Sequence, residues 1–295
     1  MMTTSLRSLL AAALWLAFAA LAQTPVTLPA IGNDGPYLPG KFVWFDLVTD
    51  DLAATRAFYG AVFGWQFETI GDPPQSYTVI RNAQQNMAGA FLHPRATGTA
   101  GGARWLPLIS VDDPARAVQY TEQQGGKVLV PPTDRPRRGT HALLRDPEGA
   151  VFGILRSATG DPPDTPVDDG DFFWLDLLAQ DPAREAEFYR NLAGYSVTSE
   201  HVGTGVDRLV LSSGRYARAA VAQMSARVKK PGWLPYVLVN DVPGTLQKVT
   251  QAGGRVLVEP RPELLDGNLA VIADPRGGVL GIIDWDREAS QGGTR

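Results

Sequence analysis

At 295 residues, 44% of them hydrophobic, the chain is long enough for two domains of ordinary size. Its formal net charge of -4, with basic residues scattered along the sequence, provides no nucleic-acid surface. The absence of cysteine excludes disulfides, thiolate metal sites, a cysteine nucleophile and a lipid-anchor cysteine together.

Residues 1–22 combine one basic residue, Arg7, with an apolar run from Leu9 to Leu21 and the small-residue ending Ala20-Leu21-Ala22. That is the pattern of a secretory signal peptide cleaved after Ala22, and it predicts a periplasmic or secreted protein that leaves the membrane on cleavage. The run is short for a bilayer span, and an uncleaved anchor is the alternative. Residues 23–40, rich in Pro and Gly, read as a linker or as an arm lying on the first domain.

Residues 42–48 alternate as a strand, and 52–63 place Ala54, Ala57, Phe58 and Ala61 at helical spacing. Short strand-like runs then continue to Leu92. The order repeats with a strand at 106–111, a helix at 114–124 and strands at 128–130, 141–145 and 151–155. Residues 41–157 therefore read as two βαβββ units. A polar linker, 158–170, precedes a second copy at 171–286, and the small polar tail 287–295 is predicted to be disordered.

The second copy repeats the first at an offset of 128 to 130 residues. Phe42-Val43-Trp44-Phe45-Asp46-Leu47 returns as Phe172-Phe173-Trp174-Leu175-Asp176-Leu177, and Phe58-Tyr59 with Gly64 returns as Phe188-Tyr189 with Gly194. Trp105-Leu106-Pro107 returns as Trp233-Leu234-Pro235, and Asp146-Pro147 returns as Asp274-Pro275. So long a period marks a duplicated domain, with each copy expected to close its own core.

Asp51 followed by Phe58-Tyr59 and Gly64-Trp65, and closing on Asp146-Pro147-Glu148-Gly149, resembles the vicinal oxygen chelate superfamily of glyoxalases, extradiol dioxygenases and bleomycin-resistance proteins. The resemblance implies an α+β fold of two tandem glyoxalase-like domains, each curling a mixed sheet into a ligand-binding cup. It also implies metal ligands on cup strands, but the matching positions are Trp44, Leu106 and Gly153, and Trp174, Leu234 and Gly281. None of these side chains binds a cation, so no metal and no cofactor is expected. Of the three histidines, His93 and His201 read as surface residues.

Strand alternation then places Trp44 and Asp46, and Trp174 and Asp176, on the cup faces, with Val43, Phe45 and Leu47 turned toward the helices. Trp105 and Trp233 are placed at the rim. His141 joins the first cup beneath a basic loop containing Arg135, Arg137 and Arg138, whereas Glu259, Glu263 and Asp266 are expected to make the second mouth acidic. Trp44, Asp46, Trp105, Arg138, His141, Trp174, Asp176 and Trp233 are thus the candidate ligand-binding residues, with no catalytic residue assigned. The same tryptophans also read as residues that fill the space of the missing metal site, with the Asp bonded to a backbone N–H. Asp46 is expected to have a raised pKa, drawn back down by a nearby His141 imidazolium.

Three readings follow. One is an exported protein that sequesters or senses a small ligand, another a lyase, isomerase or dioxygenase-like enzyme with Asp46 as base, and the third a structural protein with filled cups. The expected partners are a small molecule and the other copy of the domain, with a homodimer left open.

Overall fold

The computed structural model of the protein describes residues 26–72, 76–82, 85–92, 102–202, 206–226 and 228–285. Residues 1–22, where a signal peptide is expected, His93 and the tail 287–295 lie outside these described residues, among which no helix is long and apolar enough to cross a membrane.

Elements follow one order twice. The first half contains β1 (Phe42–Thr49), α1 (Leu52–Phe63), β2 (Gln66–Ile70), β3 (Tyr77–Asn82), β4 (Gln85–Leu92), β5 (Ala103–Ser110), α2 (Pro114–Gln123), β6 (Lys127–Arg135), β7 (Gly139–Arg145) and β8 (Val151–Ser157). The second contains β9 (Phe172–Ala179), α3 (Pro182–Ala193), β10 (Ser196–Val202), β11 (Val206–Ser213), β12 (Tyr216–Gln223), β13 (Gly232–Leu238), α4 (Val242–Gln251), β14 (Arg255–Val258), β15 (Leu269–Ala273) and β16 (Val279–Ile283). Each half forms one eight-stranded mixed sheet, in the orders β2-β3-β4-β1-β5-β8-β7-β6 and β10-β11-β12-β9-β13-β16-β15-β14.

The local chemistry explains the repetition. Each of the α-helices named above begins at an aspartate, Asp51, Asp113, Asp181 or Asp241, whose carboxylate accepts from backbone N–H groups of the first turn. The first helix of each half ends at Gly64 or Gly194, with φ of 72° and 75°, a left-handed cap that glycine adopts without strain.

The repeat predicted a separate core in each half, but the halves share one. Helix-side residues of both sheets form one continuous cluster, including Phe45, Leu47, Tyr59 and Trp105 from the first half and Leu175, Leu177, Tyr189 and Val237 from the second. α1 packs on α4, α2 packs on α3, and the Phe45 and Phe172 rings stack at 3.9 Å across the junction. The cups hold smaller, separate apolar clusters.

One detail of the alternation fails. Val43 packs in the first cup beside Trp44, while Phe42 joins the shared core. A register shift between Phe42 and Trp44, opposite Ile109 and Leu108, interrupts the two-residue period, and the second half has the same irregularity opposite Tyr236 and Val237.

Candidate functional site

The first cup encloses a cavity of about 270 Å³ walled by Leu28, Val48, Phe91, Leu106, Leu108, Val130 and Leu143, with Asp46, Tyr77, Arg138 and His141 as its polar members. Leu28 comes from the N-terminal arm, which is pinned to the linker by the bonds Asp34 N–H to Thr159 O at 2.8 Å and Leu38 N–H to Asp161 Oδ2 at 2.6 Å.

Asp46 is held by side chains. The Tyr77 hydroxyl donates to its Oδ1 at 2.7 Å, and the Trp44 indole N–H is shared between that oxygen at 3.1 Å and the Tyr77 oxygen at 2.8 Å. The Tyr77 ring end occupies the place where a side chain at Gly89 would project, 1.8 Å from an ideal Cβ, so only glycine on β4 admits it. Burial pushes the Asp46 carboxyl upward, opposed by the Arg138 charge and then by the bonds from Tyr77 and Trp44.

Arg138 is 2% exposed, its guanidinium 4.3 Å from the Trp44 ring centre and 5.8 Å from that of Tyr77. The turn between β6 and β7 folds it inward. Arg138 N–H closes the turn on Arg135 O at 3.1 Å, Arg137 takes φ 69°, and Gly139 approaches the Arg156 carbonyl too closely for any Cβ. His141 shares this wall, but burial and then the Arg135 and Arg138 charges lower its pKa to about 4. The expected imidazolium is therefore absent at neutral pH, and Arg138 supplies the charge that draws Asp46 down.

The second cup rebuilds the same group from other positions. Trp174 Nε1–H donates to Asp176 Oδ1 at 2.9 Å, Tyr236 also bonds this buried carboxyl, and the Arg208 guanidinium lies 5.5 Å from the Trp174 ring centre. Strand register makes Arg208 the equivalent of Tyr77, and Tyr236 the equivalent of Leu108. A cavity of about 990 Å³ lies at one end of this cup, lined by residues including Leu178, Leu234, Leu257 and Val271, with Lys230, Glu259 and Arg261 as its charges. Trp174 and Asp176 are not on its wall, where Lys230 and Arg261 stand with Glu259, and neither Glu263 nor Asp266 lines it.

Trp105 and Trp233 do not stand at the cup rim where they were expected, although both line a separate cavity of about 480 Å³. Both lie on the helix-side face, where Trp105 Nε1–H donates to Tyr59 at 2.9 Å and Trp233 Nε1–H to Tyr189 at 3.0 Å. Trp105, 4% exposed, belongs to the shared core, while Trp233 packs against it with an edge on the second cavity. The alternation already held this answer, since a cup-facing Leu106 requires its neighbour Trp105 to face the other way. Tyr77, Tyr236, Arg208 and Leu28 were not foreseen. Gly89 within a strand pointed to a close approach, and the Leu108-to-Tyr236 difference between otherwise matching Trp-Leu-Pro segments marked Tyr236.

The metal that the resemblance implies does not fit these residues. An ideal Cβ on Gly153 would stand 2.7 Å from Leu108 Cγ, and one on Gly281 would stand 2.0 Å from Tyr236 Cδ1. The position of the closing-strand ligand is thus filled by a cross-strand neighbour in both cups. Among the described residues, no group of three or more His, Cys, Asp or Glu side chains is placed to hold a metal ion.

Comparison with known proteins agrees with this architecture. Residues 41–154 match the family model described as Glyoxalase/Bleomycin resistance protein/Dioxygenase superfamily, and residues 173–283 match a glyoxalase-like domain. The chain is 27% identical over 249 residues to "Putative glyoxylase CFP32" of Mycobacterium bovis, covering 84% of this chain and 95% of that protein. It is 25% identical over 261 residues to the anthracycline biosynthesis protein DnrV of Streptomyces peucetius, covering 84% and 94%. Among solved structures, the Mn(II)-bound glyoxalase of Novosphingobium aromaticivorans superposes with a TM-score of 0.57 at 15% identity, covering 84% of this chain and 82% of the other. The 2,2',3-trihydroxybiphenyl 1,2-dioxygenase of Sphingomonas wittichii gives 0.56 at 14%, covering 86% and 94%. At such identities the likeness is one of fold.

Proposed function

The chain belongs to the Glyoxalase/Bleomycin resistance protein/Dioxygenase superfamily, and on that premise we propose that it is an exported, metal-independent small-molecule-binding protein whose first cup holds the ligand. The observation that supports this most is the first-cup cavity itself, where apolar walls converge on Asp46, Arg138 and His141 while the closing-strand position of the family's metal ligand, Gly153, is blocked by Leu108. The second cup is the weaker candidate, because its cavity wall does not include Trp174 or Asp176.

Metal independence predicts no stoichiometric metal in elemental analysis after mild purification. Addition of manganese, nickel, zinc or iron(II) should leave the thermal midpoint unchanged. One tightly bound equivalent per domain with a raised midpoint would overturn the reading and return the chain to metal-dependent lyase or dioxygenase chemistry.

Export rests on the Arg7, Leu9–Leu21 and Ala20-Leu21-Ala22 pattern. Intact-mass measurement of the protein recovered outside the cytoplasm should give a chain beginning at Gln23. Retention of residues 9–21 would mean an anchor in its place.

A further inference from the structure

Resting on the reading of the first cup as the binding site, we propose that its ligand is a small carboxylate on a short apolar body, gripped by Arg138 and steadied by His141. The two donors on one edge of the Arg138 guanidinium, Nε and Nη2, are buried and have no partner among the described residues, and neither has His141 Nδ1. These atoms belong to side chains that line the same cavity.

A guanidinium binds with its face or with its edge. The Arg138 guanidinium carbon lies 4.3 Å from the Trp44 ring centre and 5.8 Å from that of Tyr77, contacts that use none of its N–H groups, and the Nε and Nη2 hydrogens lie side by side in the guanidinium plane. That edge is a fork matched to the two oxygens of a carboxylate. The same molecule shows the pairing at Arg276, whose Nε and Nη2 hold Asp50 Oδ1 and Oδ2 at 2.7 and 2.6 Å. Asp46 does not play this part for Arg138. Its Oδ1 is engaged by Tyr77 and Trp44, and it reaches Arg138 only through its charge.

Burying a charged group without hydrogen bonds is costly, and a ligand that supplies them recovers that cost. His141, neutral across the physiological range, can donate one further bond to the ligand without adding charge. Asp46 and Tyr77 are bonded to each other, and apart from Arg138 and His141 the other wall residues are all leucine, valine or phenylalanine, so the body of the ligand is apolar. A volume of about 270 Å³ lies below the range of drug-sized pockets, which limits that body to a single ring or a short chain.

The test compares benzoate and hexanoate with their neutral counterparts benzamide and hexanamide on the wild-type protein, by tryptophan fluorescence and calorimetry. The carboxylates should bind saturably, and each amide at least tenfold more weakly. Arg138→Gln should weaken benzoate tenfold or more without changing benzamide, and Arg138→Lys should recover only part of the loss, because an ammonium lacks the fork. Far-UV circular dichroism checks that the variants fold, and the wild-type comparison stands if they do not. Equal binding of benzoate and benzamide, or an unchanged benzoate affinity in folded Arg138→Gln, would overturn the carboxylate assignment while leaving the cup as a binding site. No binding of either class would overturn both.

Discussion

Asp274→Ala is expected to lower the stability of the whole described body by about 3–5 kcal/mol, because it strips a buried acceptor from several donors at once. Asp274 is 1% exposed and receives the backbone N–H groups of Arg276 and Gly278, each at 2.8 Å. It also receives the Tyr59 hydroxyl of the other half at 2.9 Å, and that oxygen in turn accepts Trp105 Nε1–H. The arrangement is reciprocal, since Tyr189 of the second half donates to Asp146 of the first at 3.0 Å and accepts Trp233 Nε1–H. Trp65 Nε1–H to Gly170 O at 2.8 Å and Tyr195 Oη–H to Gly40 O at 2.5 Å repeat the exchange.

Each half therefore completes the Asp-Pro turn of the other, and the apolar core beneath is shared. Denaturant unfolding followed by tryptophan fluorescence and circular dichroism should show one transition at a lower midpoint. Tyr59→Phe, which leaves Asp274 its backbone donors, should cost about 1–2 kcal/mol. Two separate transitions, with only the second half moved, would show that the halves are independent domains.

The second large effect concerns Glu185 on α3, which is fully buried with neither carboxyl oxygen hydrogen-bonded by geometry. Burial, then the Asp146 charge and the closeness of that carboxyl, and then Glu148 push its pKa up to about 9, with Arg184 opposing. Tyr189 also faces this cluster through its bond to Asp146. The offset of 130 makes Thr55 the equivalent residue, and its hydroxyl is satisfied by Thr49 Oγ1 and Asp51 O.

The folded state thus retains a proton that the unfolded chain releases near the ordinary glutamate value. Between these two values the folded state binds more protons, so stability is greatest below about pH 4.5 with respect to this group and falls as pH rises toward 9. The slope is at most about 1.4 kcal/mol per pH unit. Glu185→Gln should raise the thermal midpoint at pH 8 and flatten its dependence on pH. A wild-type midpoint that stays level between pH 5 and 9 would show that Glu185 does not titrate in this way.

The amino-acid sequence alone determined the elements and their repetition. Capping aspartates, left-handed glycines and apolar spacing act over a few residues, and the bounds of α1 follow from them directly. The order of four βαβββ units was legible for the same reason, and the inability of Trp44, Leu106 and Gly153 to hold a cation follows from side-chain chemistry. Only the tertiary structure decided what those elements do to one another. Alternation states that a strand has two faces but does not identify what covers each, and Trp105 consequently belongs to the core between the halves. It also cannot see the bulge that turns Val43 into the cup. Arg138, one of three basic residues in a surface turn, becomes a buried fork through the backbone path from Arg135 to Gly139 and the nearness of Trp44, about 90 residues away in sequence. The phenol that holds each buried aspartate comes from β3 in one cup and β13 in the other, a choice set by where Gly89 and Gly281 leave room across the sheet. Contacts between residues so far apart in the chain arise only when the sheet closes, which is why the fold and several first-cup residues could be read from the sequence and the bonding arrangement around Asp46 and Arg138 could not.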